Sequence, residues 1–289
     1  MPHEVLEPSQ WRPRQSAHYE RAQQLVSPFE ARRKAGRTHP IEDFLFTYYM
    51  YRPNQLRRWH PGFETGIIGG PQPDGAFYTQ QRGIVFSDPD QFRIKRSGII
   101  NFVRRLMRST LDRSPALSCF GLHEWAMVYR QSPTELRHDQ WPLRLSASQI
   151  AAAVEERPLA CTHFDAFRFF TQAARPLNSD QLARESQESQ EQPGCLHAGM
   201  DLYKWAYKLI PMTSSGLVLD CFDLAMQIRY VDMRASPYDF SSLGITPIAI
   251  ETPTGRSEYS RTQKLFAERA APLRQHLLSV VESIGTETS

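Results

Sequence analysis

The sequence predicts a mainly α-helical protein with a minor β component, arranged as a single helical domain, with an α+β fold as the alternative. Two observations carry this prediction: helix start signals recur along the chain, and only a few short segments have the pattern of strands. With 289 residues, of which 40% are hydrophobic and 22% charged, the chain can bury a substantial core. We expect a polar N-terminal segment at residues 1–37 and a single helical catalytic domain at residues 38–289.

The first clear helix start lies at residues 38–43. A threonine cap, an early proline and two acidic residues in the first turn predict a helix through the aromatic stretch 44–51. Residues 61–83 contain six glycines and three prolines, which is typical of a loop. Within this region and just after it, residues 77–78 and 84–86 have the pattern of one hairpin.

Two helices and a short strand are predicted next. An Asp-Pro pair begins a helix that ends near Leu111. Residues 143–145 alternate as in a short strand. Ser146, followed three residues later by Gln149, forms a capping box that begins a helix ending near Glu156.

The last third of the chain is predicted to be helical after a polar interruption. Residues 178–193 are rich in Ser, Gln and Glu, which indicates a solvated loop or weak helix that could act as a lid. Helical periods then cover residues 198–210, 216–234 and 256–284. Residues 245–251 have the pattern of a strand that Pro247 would confine to a sheet edge.

The net charge and the apolar content limit the kinds of partner that the protein is expected to have. The net charge is only +3, but 29 of the 34 basic residues are arginine, a side chain that suits bidentate contact with phosphate or carboxylate. No apolar run approaches the roughly 20 residues needed to cross a membrane, and the first residues lack the pattern of a secretory signal. We therefore expect a cytoplasmic protein without membrane association and without an obligate protein partner.

Three short segments place a histidine close to a cysteine and a carboxylate, among apolar and aromatic residues. They are Cys119–Trp125, Cys161–Asp165 and Cys195–Asp201, and a fourth segment, Asp220–Asp223, places a cysteine between two carboxylates. Such groups are costly to bury unless they are paired, bound to a metal or used in chemistry. The segments predict an active site assembled from several helices, or else core histidines with ordinary hydrogen bonds.

The cysteines of these segments are expected to be free thiols. They lie 42, 34 and 26 residues apart. This spacing is too wide for a zinc ribbon or an iron–sulfur run, both of which need close pairs of cysteines. In a reducing cytoplasm disulfides are not expected either, so the histidines and carboxylates are the more informative members of the segments.

Local geometry decides which of these side chains can act together. Positions i and i+4 of a helix share a face, so His197 and Asp201 point the same way. In an extended segment His163 and Asp165 share a side, because the period of a strand is two. These two pairs are therefore the strongest candidates for joint action.

The remaining candidates are less clearly paired. His123 and Glu124 are adjacent and diverge by about 100° on a helix, so only one of them is expected to face a common pocket. Asp220 and Asp223 can share a face at i+3. Glu42, at the start of the aromatic helix, is a further candidate.

Imidazoles and carboxylates in these numbers suit iron, manganese or zinc, and helical bundles rich in carboxylates can hold two metals. If a metal is present, the expected ligands are Glu42, His163, His197, Asp220 and Asp223. The usual di-iron signature has Glu-x-x-His on each of two helices. It occurs here once, as Glu135-Leu-Arg-His138, and the lack of a second copy weakens the metal hypothesis.

Residues 93–113 are strongly basic, with seven basic residues and a single acid, Asp112. At helical spacing Arg104, Arg105 and Arg108 share one face. Such a stripe can follow a phosphate backbone and bind DNA. An exposed amphipathic helix whose arginines pair with acids elsewhere explains the pattern equally well.

A third motif ends a predicted helix with alternating arginine and aspartate, at Arg229, Asp232 and Arg234, followed by Ser-Pro-Tyr-Asp. These side chains could anchor a phosphate or a substrate carboxylate. An internal ion-pair network that joins helix and loop is the favoured interpretation.

Several familiar signals are missing from the chain. It contains no Gly-rich dinucleotide fingerprint, no Walker A loop, no Gly-x-Ser-x-Gly elbow and no His-Glu-x-x-His. Nucleotide-dependent redox chemistry on a Rossmann fold is therefore not expected, and neither is serine hydrolase chemistry.

Five stretches between about residue 38 and residue 275 carry a resemblance to a known family. They are His39–Phe46, Gly121–Tyr129, Thr162–Phe170, Cys195–His197 with Met200–Trp205, and Met233–Asp239. They resemble a family of bacterial proteins of similar length that is commonly labelled 3-methyladenine DNA glycosylase. The resemblance implies a DNA-repair hydrolase that excises alkylated purines. The helix-hairpin-helix and mixed-fold motifs of well-understood glycosylases are absent, so their fold and catalytic residues are not carried over.

A glycosylase needs an aromatic pocket for the flipped base, a carboxylate and a basic surface for phosphates. The candidate catalytic residues are Glu124, Asp165, Asp201 and His123. The candidate substrate-binding residues are Trp125, Phe164, Tyr203, Arg104, Arg105 and Arg108.

Three functions remain open from the sequence: a DNA glycosylase, a metal-dependent oxidoreductase or hydrolase, and a non-catalytic binding protein. The third predicts that His123, His163 and His197 lie apart in space. Their convergence within about 8 Å would favour chemistry.

Overall fold

The computed structural model describes residues 2–71, 75–132 and 140–285, and within these ranges the chain is mainly helical with one small sheet. The predicted fold class is therefore confirmed. The helices are α1 (Pro8–Lys34), α2 (Phe44–Tyr48), α3 (Pro53–Leu56), α4 (Pro89–Leu111), α5 (Leu122–Ala126), α6 (Ala147–Glu155), α7 (Phe164–Phe167), α8 (Gln187–Gln190), α9 (Leu196–Lys208), α10 (Ser215–Arg234) and α11 (Pro253–Ser283). The strands are β1 (Glu4–Leu6), β2 (Thr65–Ile68), β3 (Tyr78–Gln81) and β4 (Ile84–Ser87). The Glu135–His138 motif lies outside the described residues.

The chain forms two compact units. Unit 1 contains Met1–Arg108, Asp201–Met226 and Pro272–Ser289, and unit 2 contains Ser109–Met200 and Gln227–Ala271. The boundaries fall inside α4, α9, α10 and α11, so each of these helices contributes residues to both units. The division does not test the expected single domain at residues 38–289, which stays a prediction.

Unit 1 contains the sheet, with the strand order β1-β2-β4-β3. β1 pairs parallel to β2, whereas β4 pairs antiparallel to both β2 and β3. Arg82 and Gly83 join β3 to β4 with φ values of 50° and 76°, the left-handed backbone that a two-residue hairpin turn needs at both positions. The predicted hairpin is confirmed.

Helix α1 covers most of the polar N-terminal segment. Its buried residues recur at helical spacing along one face and are Trp11, His18, Ala22, Val26 and Phe29. Leu6, Trp11, Ile67 and Val85 form a buried cluster that joins this helix to the sheet of unit 1. The segment therefore contributes one apolar face to a core although most of its residues are polar.

Unit 2 contains α5–α8 and parts of the longer helices. The Ser146 Oγ atom accepts from the Gln149 backbone N–H at 3.3 Å, and the Gln149 side chain accepts from the Ser146 backbone at 3.0 Å, so the predicted capping box is confirmed. The three predicted C-terminal helices are confirmed as α9, α10 and α11, with ends that differ by up to three residues.

The predicted strands of unit 2 are wrong. Residues 143–145 make a single bridge, from Leu143 to Tyr238, rather than a strand. At residues 245–251 the three isoleucines, Ile245, Ile248 and Ile250, are buried. The backbone N–H of Ile248 donates to the Arg234 carbonyl at the end of α10, and the Ile250 N–H donates to the Ile248 carbonyl. The segment therefore turns at the end of α10 and does not pair as a strand.

Candidate metal centre

Unit 2 brings three histidines from different elements together. His123 lies in α5, His163 directly precedes α7, and His197 lies in the first turn of α9. The ring centroid of His197 lies 4.6 Å from that of His123 and 5.4 Å from that of His163. Separations of this size are well within the roughly 8 Å that favours shared chemistry.

A left-handed turn positions His123 at the start of α5. Phe120 and Gly121 have φ values of 50° and 75°, and all five residues of the following helix are buried. A Cβ on Gly121 would lie 3.3 Å from the Cβ of Ala235, so the turn packs closely against the residue that follows α10. This close packing directs the first turn of α5 towards α10.

Helix α10 supplies the carboxylate that faces His123. The Nε2 atom of His123 lies 3.0 Å from Oδ1 of Asp232, which is completely buried. One turn earlier, Arg229 donates from Nη1 to Asp232 Oδ2 at 3.3 Å and to Glu124 Oε1 at 3.0 Å. His123 and Glu124 thus reach α10 through different partners, and Glu124 is held by an arginine.

His123, His197 and Asp232 form a group of three donors of the kind that bind metals. Each offers one ligand atom, and these atoms lie within 4.8 Å of one another. Donors bound to one ion at about 2.1 Å lie roughly 3 Å apart, and the His123–Asp232 pair meets this at 3.0 Å. Two imidazoles and a carboxylate are typical ligands of zinc and of non-haem iron.

The pKa values of the two histidines in this group shift in opposite directions. Burial opposes the charged form of His123, but the Asp232 carboxylate outweighs it and raises the pKa of His123 well above its ordinary value. Burial and then the nearby His123 charge lower the pKa of His197 well below its ordinary value. Burial would raise the pKa of Asp232, but the His123 charge outweighs it and lowers that pKa. Without a metal, a neutral His197 therefore lies beside a His123–Asp232 ion pair.

A cavity of about 10 Å³ lies beside the histidines, and its wall includes Cys119, Cys161 and Cys195. This volume corresponds to about one water molecule. The Sγ atom of Cys119 lies 3.5 Å from Nδ1 of His123. Burial raises the pKa of the Cys161 and Cys195 thiols, which keeps both protonated. The sequence did not predict that cysteines line the site.

The end of the polar segment 178–193 also reaches the site. Glu191 is completely buried and Gln192 is 7% exposed. The Oε2 atom of Glu191 lies 3.7 Å from Nε2 of His163, and Gln192 lines the small cavity. A segment of solvated composition thus contributes two buried polar side chains to the surroundings of the histidines.

The other candidates of unit 2 have structural partners. The Trp125 indole is completely buried and donates to the Ala235 carbonyl at 2.8 Å. Asp165 pairs with Arg168 at 3.2 Å. The guanidinium of Arg184 lies over the Phe164 ring, 5.6 Å from its centroid. Trp125, Asp165 and Phe164 do not line the small cavity.

Three carboxylates that were expected as metal ligands belong to unit 1, where arginines bind them. Arg32 donates to Glu42 at 2.6 Å. Arg21 donates to Asp220 at 2.7 Å and also binds Asp223. The carboxylate that lies within 4.8 Å of the ligand atoms of both His123 and His197 is instead Asp232.

Asp201 and Tyr203 also belong to unit 1, whereas His197 belongs to unit 2. Asp201 is buried, accepts from the Tyr49 hydroxyl at 3.0 Å and pairs with Lys204. Tyr203 is completely buried, with its ring edge-on to Tyr49 at 5.4 Å. The i, i+4 relation of His197 and Asp201 therefore spans the boundary between two units within one helix.

Two arginines of the basic stripe on α4 bind α11 within unit 1. Arg104 donates to the Val281 carbonyl at 3.1 Å, and Arg108 pairs with Glu282. Arg105 is exposed. Two of the three arginines that were predicted to bind DNA therefore contact α11 instead of projecting freely into solvent.

Comparison with models of protein families, with curated proteins and with solved structures gives no match for this chain. In the parts of the chain that the structure describes, no helix is long and apolar enough to cross a membrane. The geometry and the chemistry of the site therefore carry the functional proposal.

Proposed function

We propose that this chain is a metalloprotein that binds one divalent first-row transition-metal ion, zinc or ferrous iron, with His123, His197 and Asp232. The observation that carries the proposal is the meeting of these three donor atoms within 4.8 Å. Three helices that are far apart in the sequence, α5, α9 and α10, supply one donor each. Such ions prefer this combination of imidazole and carboxylate ligands. A core histidine needs only one hydrogen-bond partner, so the convergence of a second histidine on the same carboxylate favours a metal site.

The surroundings of His123 suit a metal ligand. Its Nε2 atom faces Asp232, while its Nδ1 atom lies 3.5 Å from the Cys119 sulfur. Metal-bound histidines typically donate their second ring N–H to a fixed partner, which holds the ring in orientation. Donation from Nδ1 to the sulfur would leave Nε2 for the ion.

The local charges leave one carboxylate oxygen to balance a cation. Arg229 is paired with Glu124 at 3.0 Å, so its charge is largely compensated. It binds Asp232 through Oδ2, whereas Oδ1 faces His123. A bound ion would take the place of the His123 proton at this oxygen, as metal ligands must be deprotonated.

The size of the cavity limits the chemistry at the ion. Three protein ligands leave a coordination position open, and the adjacent space of about 10 Å³ accommodates one water-sized ligand. A bound ion would supply Lewis acidity to such a ligand. Reaction of an organic substrate at this ion would require unit 2 to open.

Metal content and metal affinity test the proposal. We expect native full-length protein to contain close to one equivalent of zinc or iron by elemental analysis. The metal-free protein should bind Zn²⁺ in a calorimetric titration. His197→Ala and the larger His197→Gln should each weaken binding by at least about 100-fold, beyond the effect typical of a lost outer-shell partner.

A matched control separates this site from adventitious histidine binding. His276→Ala removes an exposed histidine of α11 and should leave the affinity unchanged. The proposal is wrong if native protein lacks these metals and metal-free protein binds neither Zn²⁺ nor Fe²⁺. It is equally wrong if the His197 variants bind as tightly as the parent.

The DNA glycosylase activity that the family resemblance implies stays a prediction. The cavity at the histidines is too small for a purine, and Arg104 and Arg108 contact α11, so the geometry gives this activity less support than it gives metal binding. We further propose a cytoplasmic location, because Cys119, Cys161, Cys195 and Cys221 are all free thiols and a reducing compartment keeps thiols in that form.

A further inference from the structure

Unit 1 contains a cavity of about 1110 Å³, which is unrelated to the metal centre because all its lining residues belong to unit 1. Helices α1, α3 and α4, the sheet and the end of α9 contribute to its walls. Pockets that bind small organic molecules typically have volumes of about 300–1,000 Å³. The space therefore suffices for an organic ligand of several rings.

Aromatic rings form much of the wall. Tyr51 and Tyr207 are stacked with their ring centroids 5.0 Å apart and their planes inclined by 14°. Trp11 and Trp59 are stacked at 6.3 Å, also at 14°. Tyr19, Phe77, Tyr78 and Phe86 also line the cavity. Aromatic faces bind a planar ring by stacking and by burial of apolar area.

The tyrosine hydroxyls of the cavity stay neutral. Burial raises the pKa of Tyr78 to about 12, and burial likewise raises the pKa of Tyr51 above its ordinary value. Both groups therefore remain protonated near neutral pH. The Tyr51 hydroxyl donates to the Gln55 carbonyl at 3.1 Å. The charge of the cavity comes from its other side chains.

Two arginines contribute positive charge to the cavity that no described carboxylate pairs with. Arg58 and Arg96 line the cavity and are exposed, and the side chain of neither makes a hydrogen bond or ion pair with a described residue. The Arg96 guanidinium lies over the lining Phe77 ring, 6.0 Å from its centroid. By contrast, Arg57 is bound to Glu30 at 2.6 Å. Among the described lining residues, Glu20 is the single acid. An arginine fork binds carboxylate or phosphate oxygens in pairs.

We propose that this cavity binds a small organic anion that combines a planar aromatic ring system with a carboxylate or phosphate group. The stacked aromatic wall takes the ring, and Arg58 and Arg96 take the anionic group. The site is separate from the metal centre in residues and in chemistry, so each stands or fails by its own test.

Paired dyes test the two halves of the site. Anilinonaphthalene sulfonate carries a ring system and an anion, whereas N-phenylnaphthylamine carries the ring system alone. In fluorescence titrations of the full chain we expect saturable binding of both. Arg58→Gln combined with Arg96→Gln should weaken the sulfonate by about tenfold or more, as expected for lost charge-assisted bonds, and should change the neutral dye by less than about twofold.

Two further variants complete the design. Arg93→Gln, on the same helix as Arg96 but paired with Asp90 and outside the cavity lining, should bind both dyes like the parent. Tyr78→Thr, on strand β3, should weaken both dyes because it removes a ring and keeps a good strand former. Unchanged thermal melting in each arginine variant shows that the fold is intact.

The result that overturns the proposal is the absence of saturable dye binding, or an equal loss of both dyes in the double arginine variant. Competition then identifies the anion. Displacement of the sulfonate dye by adenosine monophosphate, with no displacement by adenosine, assigns a phosphate ligand, and displacement by naphthoate assigns a carboxylate. If neither anion displaces the dye at millimolar concentration, the proposal is wrong.

Discussion

His60 is a buried histidine whose ring makes no hydrogen bond in the described structure. It is 6% exposed, and neither Nδ1 nor Nε2 has a hydrogen-bond partner. Its backbone is fixed instead, because the His60 N–H donates to the Ser215 hydroxyl at 3.1 Å and that hydroxyl donates to the His60 carbonyl. Burial, followed by the proximity of His18, lowers the pKa of His60 to about 3.

This pKa predicts acid sensitivity of the fold. Between a pKa of about 3 in the folded state and 6.5 in the unfolded state, the unfolded chain binds the proton and the folded chain does not, so the free energy of unfolding falls as the pH falls below 6.5. At about pH 5 the loss from this group is about 2 kcal/mol. His60→Phe should remove this part of the loss, and His276→Ala should retain it. Denaturant titrations at about pH 7.5 and about pH 5 measure the difference. An unchanged loss in the His60→Phe protein would contradict the assignment.

The identity of the site residues was only partly predictable from the sequence. His123, His163 and His197 stand out because each lies in a segment of unusual composition, and they do come together. The composition of these segments did not indicate Asp232, the carboxylate of the proposed metal site. Asp165 and Asp201 were chosen for their spacing along the chain from a histidine, whereas Asp232 reaches His123 through the packing of α10 against α5. Spacing rules describe one element at a time and carry no information about that packing.

At the scale of the elements, end signals were a partly reliable guide: the signal at residues 38–43 predicted a helix through residue 51, whereas α2 covers only Phe44–Tyr48. The Ser146 capping box and the turn between β3 and β4 were predictable because a few adjacent residues determine them. The expected strand at residues 245–251 is wrong, because the segment turns at Ile248–Ile250 and the Ile248 N–H donates to the end of α10. An apolar pattern indicates which side chains can be buried, and the partner of the backbone is decided elsewhere in the chain.

The ion pair between Glu124 and Arg229 connects α5 to α10 through two buried charges. The side chains of Glu124 and Arg229 are 7% and 5% exposed, and they are 3.0 Å apart. Removing the Glu124 charge leaves the buried Arg229 with Asp232, which also faces His123, as its remaining carboxylate partner, and breaking a buried ion pair typically costs several kcal/mol. The pair of Asp165 and Arg168, at 22% and 40% exposure, is more accessible to solvent and is expected to contribute less.

We therefore expect Glu124→Gln to lower the free energy of unfolding by about 3 kcal/mol and Asp165→Asn to lower it by less than about 1 kcal/mol. Both substitutions remove one carboxylate charge from a helix of unit 2, so each serves as the control for the other. Denaturant titration at neutral pH measures both. Equal losses in the two variants would contradict the assignment of Glu124 as the buried partner of Arg229.

At the scale of the whole molecule, the helical class was predictable and the division into two units was not. Helical periods and end signals report the length and the apolar face of α4, α9, α10 and α11. Helical periods and end signals do not change at the residue where a helix passes from one unit to the other. The contrast between His197 and Asp201, one turn apart on α9 and assigned to different units, shows the consequence.

The small volume of the cavity beside His123 and His197 has a kinetic consequence for the proposed metal. A space of about 10 Å³ has no room for a chelator next to the ion. Release then waits for a local opening of unit 2, and the opening rate sets the exchange rate. We expect ethylenediaminetetraacetate to remove the metal at a rate that does not rise with chelator concentration, measured by a zinc-sensitive dye. A rate proportional to chelator concentration would mean that the ion is reached from solvent directly. The protein would thus hold its metal by slow exchange as much as by affinity.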